Sequence, residues 1–208
     1  MGYYSEHVVP RLIDWACGMK TGEPIRERAC RGLTGEVVEL GFGSGLNIRF
    51  YPPEVDSVAA VEPSDVAWRM AGDRVAGSRA PVRLAARDGQ RLPFADASFD
   101  SALSTWTLCT IPDAQAALRE IRRVLRPGGV LRFVEHGLAP EADRGVRRWQ
   151  HRLDPIQQRV LAGCHLDRPI VPMITNAGFT VTDLEVFYEP GAPRILAADS
   201  LGSARVAA

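Results

Sequence analysis

The chain has 208 residues, 46% hydrophobic and 24% charged, and its 25 basic side chains balance 25 acidic ones. That composition suits one globular domain with a substantial core, and zero net charge gives no electrostatic basis for wholesale nucleic-acid binding. Cys17, Cys30, Cys109 and Cys164 are scattered without a C-x-x-C pair, which excludes a zinc knuckle or a disulfide-stapled scaffold. No apolar run is long enough to span a membrane, and neither a signal peptide nor an N-terminal anchor is visible, so a cytoplasmic protein with reduced thiols is expected.

Residues 1–35 read as an N-terminal helical cap segment, with residues 36–208 as the main domain. Val8, Leu12, Trp15 and Met19 recur at helical spacing. Thr21-Gly22-Glu23-Pro24 breaks that helix, and a second short one is expected from Ile25 to Cys30.

From Glu36 the chain alternates strand and helix. Strands are expected near 36–41, 57–62, 82–86, 99–105, 130–136, 180–188 and 194–199. Helices are expected at 45–51, 64–76, 113–125, 141–161 and 168–177. Such alternation predicts an α/β fold, a Rossmann-like seven-stranded and mostly parallel sheet with helices on both faces. The tight Glu189-Pro190-Gly191 turn makes the last strand antiparallel.

The first strand runs into Glu39-Leu40-Gly41-Phe42-Gly43-Ser44-Gly45. Gly41, Gly43 and Gly45 are spaced G-x-G-x-G, not the G-x-G-x-x-G of a dinucleotide site, which argues against a nicotinamide oxidoreductase. Glu39 is a poor neighbour for a pyrophosphate and a good one for a cation. A nucleoside cofactor carrying positive charge and no phosphate follows. Glu62 ends the second strand, where an acid accepts hydrogen bonds from ribose hydroxyls.

His136 ends the fifth strand in Phe133-Val134-Glu135-His136. Strand ends are where open sheets place their sites, and imidazole titrates near neutrality, so His136 is the candidate general base, or a structural histidine. No ligand cluster is visible and no metal is expected. The 141–161 helix carries Arg144, Arg147, Arg148, Arg152 and Arg159, with Val146, Trp149, Leu153, Ile156 and Val160 as its apolar stripe. Its basic face is either simply solvated or a point of contact with acidic lipid or an anionic substrate.

With Arg87-Asp88-Gly89-Gln90-Arg91-Leu92-Pro93-Phe94 and Leu125-Arg126-Pro127-Gly128-Gly129, the chain resembles the class I S-adenosylmethionine-dependent methyltransferases over roughly residues 36–190. The resemblance implies S-adenosyl-L-methionine as cofactor, with Gly41, Gly43 and Gly45 around its methionine part and Glu39 toward its ammonium group. It also implies Asp88 and Gly89 beside the adenine, and Thr105, with Trp106 and Thr107, toward the transferred methyl. The Gly41–Asn47 turn leading into Tyr51-Pro52, Val134-Glu135-His136, Trp149 and Gly163-Cys164 narrow the likeness to the methyltransferase-like thiol S-methyltransferases and their bacterial relatives. That implies a small lipophilic acceptor, a thiol first and a phospholipid amine or quinol otherwise. A cofactor-binding protein without catalysis stays open, as do the oligomeric state and the role of Cys164.

Overall fold

The computed structural model describes residues 18–161 and 163–207, together with Arg11 and Asp14. Of the expected N-terminal stripe, Val8, Leu12 and Trp15 lie outside the described residues.

Seven strands form one sheet: β1 (Gly35–Leu40), β2 (Val55–Val61), β3 (Val82–Ala86), β4 (Phe99–Thr105), β5 (Leu125–His136), β6 (Thr180–Tyr188) and β7 (Ala198–Arg205). Their order is β3-β2-β1-β4-β5-β7-β6. β1 to β5 pair in parallel, and β7 runs antiparallel between β5 and β6. The chain reverses strand order between β1 and β4, so the carboxyl ends of these strands open a crevice where such sheets take ligands.

Both faces are covered. Helix α1 (Glu23–Cys30) contributes Ile25, Ala29 and Cys30 to one core, shared with Val37, Val58, Leu103 and Val134. Burial pushes the Cys30 thiol far above its ordinary range. On the other face, α4 (Ala114–Val124) buries Ala114, Ala117, Leu118, Ile121 and Val124 at helical spacing, and the Asp113 carboxylate caps it by accepting the Ala116 amide at 2.8 Å. Leu118 and Ile121, both 1% exposed, contribute on the order of 1.5–3 kcal/mol each. Helix α6 (Ile170–Asn176) supplies Ile170 and Ile174 to that core.

Four expectations change. The 64–76 helix is two short ones, α2 (Asp65–Met70) and α3 (Gly72–Ala76), and the expected 45–51 helix is a 3-10 turn at Ile48–Phe50. The last strand starts at Ala198, because Arg194–Leu196 forms another 3-10 turn. Helix α5 (Arg144–Val160) does not bury its apolar stripe: Trp149, Ile156 and Val160 are exposed, and Gln150 and Asp154 are the buried residues. Gln150 earns that place by bonding, accepting from Ala139 N at 2.9 Å and donating to the Gly137 and Ile195 carbonyls. Among the described residues, no helix is long and apolar enough to cross a membrane.

Candidate active site

The turn after β1 and the end of β2 are tied together. Gly41 and Gly43 have φ of 67° and 59°, a left-handed conformation that costs other residues about 1–2 kcal/mol. A Cβ on Gly41 would collide with the Thr107 side chain, whereas one on Gly43 meets nothing nearer than 4.0 Å. The Glu62 carboxylate accepts from Gly43 N at 2.7 Å and Ser64 N at 2.8 Å. Burial raises the Glu62 pKa against these two amides, which favour the ionised form.

These residues wall a cavity of about 510 Å³ at the carboxyl ends of β1, β2 and β4. Leu40, Leu46, Val61, Ile111 and Pro112 give it an apolar lining; Asp14, Arg26, Glu62, Asp88, Thr105, Thr107 and Thr110 supply polar groups. Asp88 is exposed and accepts from the Gln90 amide and side chain, shaping the turn that passes the cavity. Gly89 brings that turn close, since a Cβ there would strike Leu40.

Of the residues singled out from sequence, Gly41, Gly43, Glu62, Asp88, Gly89 and Thr105 reach the cavity wall; Glu39, Gly45 and His136 do not. A Cβ on Gly45 would meet Ile48 at 2.9 Å and Phe42 at 3.2 Å, so close packing requires that glycine. Glu39 is wholly buried behind the wall, accepting from Asn47 at 2.8 Å and from the Tyr51 hydroxyl. Burial pushes its pKa up to about 7, against the Tyr51 and Asn47 bonds. Asn47 relays it to the cavity by donating to Thr105 Oγ1 at 3.0 Å, and Arg26 donates to Asn47 Oδ1 at 2.8 Å.

Arg26 is a wall residue that nothing in the sequence announces. It comes from α1, is 6% exposed, and sets its guanidinium 4.7 Å from the centre of the Trp106 ring. Trp106 itself holds φ of 49°, a strained conformation for a bulky residue and one that gathers at functional sites. It is pinned by its amide on the Val134 carbonyl at 2.8 Å and its indole N–H on Asp199 Oδ1 at 3.3 Å. Buried Glu135 fixes the next residues, accepting from Thr107 N and Leu108 N at 2.9 Å and from Ser104 Oγ at 2.6 Å.

His136 stands behind this segment, 8% exposed. Its ring, Cys109 Sγ and Cys164 Sγ present donor atoms all within 4.8 Å of one another. Cys109 Sγ lies 3.4 Å from Oγ1 of the wall residue Thr110. Burial opposes protonation of His136, but the Cys109 sulfur and the carboxylates of Asp199 and Glu189 outweigh it and raise its pKa. No local pattern in the chain announces this cluster, because it takes both the strand order and the packing of the 161–169 loop to bring residues 109, 136 and 164 together.

Comparison with known proteins decides the family. A model described as a methyltransferase domain matches residues 38–133. Thiol S-methyltransferase TMT1B of Rattus norvegicus is 34% identical over 160 residues, 74% of this chain and 65% of that protein. The chain belongs to the class I S-adenosylmethionine-dependent methyltransferases. It is also 28% identical to a phosphatidylethanolamine N-methyltransferase of Cereibacter sphaeroides, over 68% of this chain and 74% of that one. The chain spans just under two thirds of the thiol methyltransferase relatives it matches. An S-adenosylmethionine-dependent methyltransferase structure from Mesorhizobium loti superposes with a TM-score of 0.64 at 19% identity, over 90% of this chain and 99% of that one; at that identity it speaks for the methyltransferase fold alone.

The cavity fits the cofactor of this family. Gly43 leaves a cradle that a Cβ would fill, a buried carboxylate sits at the end of β2, and the lining between them is apolar.

Proposed function

We propose that this protein transfers a methyl group from S-adenosyl-L-methionine to a small lipophilic acceptor, a thiol first, by direct in-line displacement. The observation that carries it is the Gly43–Glu62 pairing in the cavity wall, which presents an acid and open backbone at once. Glu62 would receive the ribose hydroxyls, the 41–45 turn and Arg26 the carboxylate end, and Asp88 the adenine. When bound, the cofactor supplies a methyl carbon made electrophilic by positive sulfur. The chain's own contribution is alignment and exclusion of water. Trp106, Thr107 and Ile111 line the cavity beside the end of β4, where an acceptor would stand.

A thiol is supported by the identity to thiol S-methyltransferases and by the apolar lining. It must shed its proton to attack, since thiolate is the nucleophile. A phospholipid amine is the second acceptor, supported by the phosphatidylethanolamine N-methyltransferase relative. The exposed Trp149, Ile156 and Val160 beside Arg148, Arg152 and Arg159 on α5 suit contact with acidic lipid. Cosedimentation with phosphatidylserine vesicles, lost in an Arg148→Glu/Arg152→Glu variant, tests that contact.

The deciding experiment offers labelled S-adenosylmethionine with a small alkyl thiol, hydrogen sulfide, a quinol and phosphatidylethanolamine in parallel. Label on sulfur, abolished in Glu62→Ala, is expected. Label only on nitrogen or oxygen would discard the thiol, and cofactor binding without any product would discard catalysis on these acceptors.

A further inference from the structure

Cys109 follows β4, His136 ends β5, and Cys164 lies in the loop between α5 and α6. Two residues hold that loop against the 106–112 segment. His165 N donates to the Cys109 carbonyl at 2.8 Å. Arg168 donates to the Ile111 carbonyl at 2.6 Å and also to that of Leu108. The two sulfurs and the imidazole are therefore brought together by well-bonded backbone. We propose that Cys109, His136 and Cys164 form a three-ligand site for a zinc-class divalent cation, behind the acceptor end of the cavity.

Four observations converge on it. Two thiols and an imidazole are the donor set that selects zinc-like ions over magnesium or calcium. With metal–sulfur bonds near 2.3 Å and metal–nitrogen bonds near 2.0–2.1 Å, tetrahedral donors stand roughly 3.4–3.8 Å apart. The three donors already lie within 4.8 Å of one another, so closing on an ion takes about one ångström of side-chain movement. His136 Nε2 and Asp199 Oδ2 are both buried without a hydrogen-bond partner among the described residues, although nearly all such atoms are paired in folded proteins. Asp199 is the register partner of His136 across the β5–β7 pair, placed as a carboxylate that orients a metal-bound histidine.

Glu135, which accepts the amides of Thr107 and Leu108 next to Cys109, and Asp199, across from His136 on β7, place two buried carboxyl groups near the cluster. By contrast, a second group of Asp154, His165 and Asp167 is accounted for by its own bonds. Asp154 accepts from Leu166 N at 2.7 Å and Gln158 at 2.5 Å, and Asp167 pairs with His151 at 2.7 Å.

Three protein donors leave a tetrahedral ion one open position. There an acceptor thiol would bind as thiolate, its proton passing to solvent and its sulfur lone pair to the ion. That role rests on the thiol reading above; the cation site does not.

The test uses the whole chain, kept reduced with a phosphine and free of added thiols. After loading with zinc and desalting, about one zinc per chain is expected. Cobalt loading should give sulfur-to-cobalt charge-transfer absorption and the strong visible bands of tetrahedral cobalt. Cys164→Ser, in a half-buried loop, should lose the charge transfer while keeping its melting temperature and cofactor binding. Asp199→Asn should weaken zinc binding by roughly 10–100-fold. Zinc below about a tenth per chain, or a cobalt spectrum untouched by Cys164→Ser, would overturn the site. A small alkyl thiol should shift the cobalt spectrum. A bound cobalt blind to thiol would overturn the acceptor role and leave the cation site standing.

Discussion

The Glu62 carboxylate, at the end of β2, accepts the Gly43 amide from the turn after β1 at 2.7 Å. One acid therefore shapes the loop and lines the cavity. Glu62→Ala removes this bond and the one to Ser64 N, and a lost hydrogen bond to a charged group is worth about 1.5–3 kcal/mol. Titration calorimetry should show S-adenosylmethionine affinity down by at least about tenfold, and a thermal melt should show a lower midpoint. Unchanged affinity would remove Glu62 from the binding site.

Two glycine variants separate fold from site. Gly41→Ala drives a Cβ into Thr107, whereas Gly43→Ala meets open space; both carry the left-handed strain of about 1–2 kcal/mol. Gly41→Ala should therefore lose more stability in urea melts than Gly43→Ala. Gly43→Ala should lose more affinity for S-adenosylmethionine than its stability loss explains. Equal ratios of the two losses would contradict the cradle.

Glu39 sets a pH dependence. Its pKa is raised by burial to about 7 in the folded chain, above its value in an unfolded one, so folding favours the protonated form. Stability from this group is fully present below the unfolded pKa and is lost as pH rises through about 7, by roughly 2–4 kcal/mol. Glu39→Gln cannot ionise. Melting temperatures from pH 5 to 8 should show the wild type losing ground to Glu39→Gln, and parallel curves would refute the assignment.

Arg123 clamps the segment that carries Leu92-Pro93-Phe94. Its guanidinium donates to the Leu92 and Phe94 carbonyls at 3.1 and 2.8 Å, and pairs with Asp96 at 2.7 Å and Glu120 at 2.8 Å. Lysine cannot reproduce that fork. Arg123→Lys should cost about 1–3 kcal/mol in denaturant unfolding and weaken cofactor binding less than Glu62→Ala does. A neutral Arg123→Lys would make the clamp ornamental.

The sheet was legible wherever burial and side-chain size agreed. β1 and β2 are built on the apolar runs Val37-Val38 and Val58-Ala59-Ala60-Val61, and with β4 they lie within two residues of their expected bounds. β7 was displaced because Ala198-Asp199-Ser200-Leu201-Gly202-Ser203-Ala204 is a run of mostly small or polar residues. Those residues are small because neighbours are close: a Cβ on Gly202 would strike the Asp183 carbonyl and come within 2.9 Å of Phe133. On α5, periodicity chose the wrong face, since Gln150 and Asp154 repay burial with hydrogen bonds that a hydropathy pattern does not register. Within the site, the glycine turn and Glu62 stood out because each is a local signature. Arg26 and the Cys109–His136–Cys164 cluster are products of long-range packing, and neither could be read from neighbours in the chain.

The insertion of β7 between β5 and β6 also bears on how the molecule is made. During synthesis β6 emerges before the strand that joins it to the sheet, so β5 offers an unpaired edge until β7 has left the ribosome. Asp199 arrives on that late strand. A nascent chain halted before it would expose a row of open amides and carbonyls, an invitation to pair with another chain, and chaperone demand should peak in that interval.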